Sequence, residues 1–219
     1  MTRLLSSPET TAAWNWEIET ESDGENGNLG RGARAALSMA EILKKHGLLD
    51  LSQMMVSWHR AGVGPIGFRS LISMHEGAST SPDDLVQMIS ASRPAGYTDA
   101  LAGQLELLGP GVWINNEGHT KREQKLIGAF LSMDKFAVWG TLWVMHDIWS
   151  YYDFSGQPHP EVYNNNAPRL ASVLKEIETS LDVEIEEGEP TYFATPEKYG
   201  ILTPTTEAEG LGFDATDRL

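Results

Sequence analysis

The stretch from Phe136 to Tyr152 is the most apolar part of the chain, and it holds Trp139, Trp143 and Trp149. A membrane helix needs about 20 consecutive apolar residues. This run is shorter and is broken by His146, Asp147 and Ser150, so it reads as a buried core element. Trp139, Leu142, Trp143, His146 and Trp149 recur at intervals of three and four, which favours a helix; the tryptophans and valines leave a strand open. On this reading Trp139 and Trp143 fill the core. With 219 residues, 41% of them hydrophobic, the chain can enclose a core of useful size in one domain.

Other segments carry their own punctuation. Trp14 to Glu19 alternates apolar and polar residues and predicts a strand. Glu21 to Gly32 reads as a glycine-rich loop. A helix from about Arg34 to His46 follows, with Lys44, Lys45 and His46 at its negative end and Gly47 beyond. Leu51 to Trp58 reads as a second helix. Ser81-Pro82-Asp83-Asp84 is a helix start: a capping serine, a proline at the first position, then acids. Thr120-Lys121-Arg122-Glu123 resembles a capping box ahead of Leu126, Ile127, Phe130 and Leu131. Pro168 opens a helix with Leu170, Val173, Leu174, Ile177 and Leu181 on its apolar face. Residues 182–186 alternate again. Tyr192, Phe193, Tyr199 and Ile201 are the expected anchors of a proline-containing end. The expected architecture is α+β and helix-rich: a single domain over 1–190 and an acidic, extended C-terminal tail over 191–219, docked on the domain or flanking it.

The formal net charge is −15, and it is unevenly placed. Residues 1–30 hold six acids and one base; residues 176–219 hold twelve acids and two bases. The middle of the chain is neutral. Acidic ends of this kind repel nucleic acid and anionic membranes, so neither is an expected partner. The first residues lack the apolar stretch of a secretory signal, and there is no cysteine; both suit a cytoplasmic location.

Short motifs that could carry chemistry are incomplete. Gly27 to Gly32, with Arg31 and Arg34, resembles a phosphate loop but lacks the Lys-Ser/Thr pair. Glu19, Glu21, Asp23 and Gly24 match the first half of a calcium loop, yet its twelfth position is Gly30. His146-Asp147 with Asp153 resembles the ligand set of HD-type metal phosphohydrolases, which makes a small metal-dependent hydrolase the alternative function. Arg69, Ser79-Thr80-Ser81 and Glu184-Ile185-Glu186 follow the order of an ADP-ribosyl transfer site. No nucleophile elbow is present. No catalytic set, resident metal or cofactor is therefore assigned.

Two features point to protein binding. One is the acidic group Glu184, Glu186, Glu187 and Glu189. The other is the aromatic and proline-rich stretch from Trp149 to Tyr163, in which Tyr151, Tyr152, Phe154 and Tyr163 flank a loop. Together they resemble bacterial immunity proteins, the cognate inhibitors of polymorphic or contact-delivered toxins. The resemblance implies an inhibitor that covers the active site of a toxin with a basic cleft, steered there by its own acids. A structural or assembly protein is the remaining alternative.

Overall fold

A computed structural model describes residues 4–19, 27–74, 80–203, 205 and 211–219. The chain runs β1 (Ala12–Glu19), α1 (Gly27–Lys45), β2 (Gln53–Arg60), β3 (Gly64–Ser73), α2 (Pro82–Ala91), β4 (Leu101–Leu108), β5 (Gly111–Ile114), β6 (Thr120–Glu123), β7 (Ile127–Met133) and β8 (Ala137–Val144). It continues through α3 (Pro160–Leu181), β9 (Glu186–Glu187), β10 (Thr195–Glu197) and β11 (Gly200–Leu202). Seven strands form one antiparallel sheet in the order β3-β2-β4-β7-β8-β1-β9. The fold is therefore mostly sheet, not helix-rich as the spacing arguments predicted.

Three predicted helices are strands, for one shared reason. A spacing of four is common to both periodicities, because four is an even number of strand residues as well as about one helical turn. What separates the two is the set of residues between. In β8 Val138, Gly140, Leu142 and Val144 are buried, while Trp139, Thr141 and Trp143 point the other way. Met54, Val56 and Trp58 do the same in β2, and Ile127, Ala129, Leu131 and Met133 in β7. The presumed capping box at Thr120–Glu123 is strand β6, paired with β5.

Two other helix starts move. The first residues of α1 are Gly27 to Gly32, so the glycine-rich stretch from Gly27 is helix and not a phosphate loop. Gly32 packs closely on β7: a Cβ there would sit 2.4 Å from the sulfur of Met133, so that side chain would have to move. Helix α3 begins at Pro160, with Pro168 inside it. The polar run Asn164-Asn165-Asn166 belongs to the helix because Asn166 is fully buried and stitches α3 to β5. Its side chain accepts from the Ile114 N–H at 2.9 Å and donates to the Ile114 carbonyl at 2.7 Å. The start of α2 is as read from sequence: Ser81 and Asp84 form the reciprocal capping box.

Trp14, Trp16, Met39, Leu43, Leu105, Leu131 and Leu142 lie in one core with Leu170, Val173 and Ile177 of α3. The segment after residue 190 enters the same core through Ala194 and Ile201. The Trp14 indole donates to the Glu197 carbonyl at 2.7 Å, and the Thr191 hydroxyl to the Thr11 carbonyl at 2.7 Å. Among the described residues no helix is long and apolar enough to cross a membrane.

Candidate binding surface

The sheet has two unlike faces. The residues that face the helices on β1, β7 and β8 are almost all buried. On the other face of the five central strands only Ala137, at the start of β8, is buried. Pairing register extends one row across all seven strands: Leu71, Met55, Glu106, Phe130, Thr141, Asn15, Glu186. A parallel row runs Arg69, Ser57, Gln104, Ser132, Trp139, Glu17. On the other side of the first row Trp143 pairs with Gly128 and Ala13.

This open face carries large apolar groups. Trp139 is 44% exposed and Leu71 57% exposed. Trp143 lies flat over Gly128, where a Cβ would come within 2.0 Å of the indole, and its ring is 5.6 Å from that of Phe130. A small cavity of about 120 Å³ opens beside it, between Leu108, Gly128, Trp143 and Met145. Trp139 and Trp143, expected in the core, are thus the centre of an accessible face. No polar alternation over 138–144 marks them in the sequence, because both faces of β8 carry large apolar residues.

The predicted acids border this face. Glu186 and Glu187 form β9 on the outer edge of β1, and both are exposed, as are Glu184 and Glu189. Between them Ile185 is buried, its N–H bonded to a Glu178 carboxylate oxygen at 3.2 Å. Hence the segment is anchored while its acids face water. Glu17 and Glu19 on β1 extend the acidic edge.

The predicted aromatics lie elsewhere. Tyr151 is 43% exposed and meets Tyr152 and Tyr163 with ring centres 5.0 and 6.1 Å apart. Tyr163 is on the first turn of α3, and Glu184 lies just past its last turn, a separation of about 30 Å along the helix axis. The structure therefore does not join these tyrosines to the acids. Phe154 is only 3% exposed and packs on Phe193, so its ring is not presented to a partner.

The His146 group is a buried tie. The main chains of Leu5 and Asp147 bond to one another, and the Asp147 carboxylate also accepts the Leu5 N–H at 3.3 Å. Burial pushes the Asp147 carboxyl up to about 7. Burial lowers the His146 and His159 imidazoles, and His159 Nε2 lies 2.8 Å from the Ser150 carbonyl. One oxygen of Asp153 is occupied by its own turn, accepting from the Ser155 N–H and hydroxyl and from the Gln157 N–H. Among the described residues no group of three or more His, Asp and Glu is placed to hold a metal ion.

Other short motifs also separate. Arg69 on β3 and Glu186 on β9 lie at opposite edges of the sheet, six strand spacings or about 29 Å apart. Ser81 caps α2, and Ser79 lies outside the described residues, as do Glu21, Asp23 and Gly24 of the calcium-like loop. A larger cavity, about 550 Å³, opens among Leu29, Val63, Leu101 and Met133 at the end of the sheet where α1 starts.

The chain matches no family model, no curated protein and no solved structure. Its function is read from the surface alone.

Proposed function

We propose that this chain is a protein-binding inhibitor of the immunity-protein kind, and that it docks a basic toxin on the open face of its sheet. The observation that carries the reading is the contrast between the two faces. Helix α1 lies against one of them, with α2 and α3 packed on α1, and the other presents Trp139, Trp143, Phe130 and Leu71 with acids along one edge. An aromatic centre with a charged rim is the anatomy of a protein interface. Six strand spacings by six or seven residues make a face of about 29 by 20 Å, roughly 600 Å² in plan, or about three-quarters of the ~800 Å² per partner of a standard interface.

The acidic edge favours a basic partner over a second copy of this chain, because two chains of −15 repel. It also steers the encounter, raising the association rate at low ionic strength. The tryptophans then supply contact area with few rotatable bonds, which slows dissociation.

A photo-crosslinking amino acid at position 139, with a control at the exposed Ser172 of α3, tests this in the source cells. The expected result is a single basic protein captured from position 139 and not from 172. When purified, that protein loses its activity on addition of one equivalent of the chain. Capture from 172 alone, or an activity unchanged by the chain, overturns the proposal.

A further inference from the structure

Trp139 and Glu17 stand directly opposite each other on β8 and β1. Ala13 gives its carbonyl to the Gly188 N–H on the β9 side. Backbone alternation turns the polar groups of Glu17 to that same side. Trp139 and Glu17 are therefore a cross-strand pair of the non-hydrogen-bonded type, with Cα atoms roughly 4.5 Å apart and side chains at their closest. Both side chains are exposed.

The neighbouring cations are engaged elsewhere. Lys135 sits over the Phe136 ring at 4.4 Å, and Arg31 donates to the Glu19 carbonyl at 3.0 Å. Ser132, which pairs with Trp139 from the other side, brings no charge. What remains is an indole face beside a carboxylate. The face attracts a cation through its quadrupole, and the carboxylate accepts the hydrogen bonds of a planar guanidinium. A guanidinium fits better than an ammonium because it stacks flat and donates sideways at the same time.

We infer that the Glu17–Trp139 pair is a socket for an arginine side chain of the docked partner. The inference rests on the proposed docking face and names which partner residue seats at that end of it. The socket is one residue wide. It sits beside the acidic edge, so an arginine steered there by Glu186 and Glu19 has a place to stop.

The test uses the full chain labelled with 5-fluorotryptophan, with the Trp139 fluorine resonance assigned by Trp139→Phe. N-acetylarginine amide is titrated at millimolar concentrations, and its neutral isostere N-acetylcitrulline amide is run beside it at matched ionic strength. The expected result is a saturable shift of the Trp139 resonance with the arginine compound only. The buried Trp14 and Trp149 resonances stay still, and Glu17→Gln weakens the binding by about threefold. Equal response to the citrulline compound, no response at Trp139, or no effect of Glu17→Gln overturns the socket. No partner is needed for this titration, so its failure is separate from a failure of crosslinking at position 139.

Discussion

Asp147→Asn should stabilise the protein, and by an amount that depends on pH. Asp147 is 1% exposed, and its carboxyl is raised from 3.8 to about 7, first by burial and then by the nearby Asp153 charge; hydrogen bonds to the carboxylate pull it partway back. A folded-state value above the unfolded one means that the native protein binds the proton more tightly. The associated stability is fully present below pH 3.8 and is lost as pH rises to 7. Its size is on the order of 4 kcal/mol over that window, about 1.4 kcal/mol for each pH unit. Asparagine keeps an oxygen for the Leu5 N–H and never ionises. Urea unfolding of both proteins at pH 5, 6, 7 and 8 reads the difference. The variant's advantage should grow by about 1.4 kcal/mol per pH unit between 5 and 7 and level off above 7. His146 and His159, both lowered by burial, titrate in wild type and variant alike and drop out of the difference. A difference that does not change with pH would mean that Asp147 stays ionised in the fold, and the desolvation reasoning would fail.

Two further changes probe other parts of the account. Replacing Glu184, Glu186, Glu187 and Glu189 by glutamine should slow association with the partner about tenfold at low salt. The effect should shrink towards nothing in 1 M salt, where the screening length is about 3 Å; stopped-flow mixing at several salt concentrations measures it, and the unfolding midpoint should hardly move. Asn166→Ala strips the Ile114 N–H and carbonyl of their partner inside α3 and β5, and should cost about 2–4 kcal/mol in urea unfolding.

How much of this was legible in the sequence depends on whether a signal was local. The start of α2 could be read because Ser81 and Asp84 bond to each other's backbone within four residues. Strand β1 could be read because Trp14, Trp16 and Ile18 alternate cleanly with polar residues. The end of α1 was marked by Lys44, Lys45 and Gly47, the last with φ of 66°. Strands β2, β7 and β8 could not be told from helices by intervals of four. In β8 both faces carry large apolar residues, so the polar alternation that marks a half-exposed strand was missing. The start of α3 was placed at Pro168 and not Pro160 because the bonds from Asn166 to Ile114 that hold the first turns span 52 residues. Of the candidate residues, the acids at 184–189 are exposed as a charge run suggests, and the burial of Phe154 against Phe193 comes from a contact 39 residues away that no local pattern announces. The face that carries Trp139 and Trp143 was not legible, because only the pairing of the strands creates it.

The central claim is that the open face, and not the tyrosine cluster, meets the partner. The direct measurement is the affinity of the crosslinked partner, once purified, for Trp139→Ala and Tyr151→Ala, each checked for an unchanged unfolding midpoint. An interface tryptophan at the centre of a face is worth about 2 kcal/mol or more, close to 30-fold in affinity. The account predicts that loss for Trp139→Ala and less than a twofold change for Tyr151→Ala. Full affinity in Trp139→Ala, with the loss appearing in Tyr151→Ala, would contradict it.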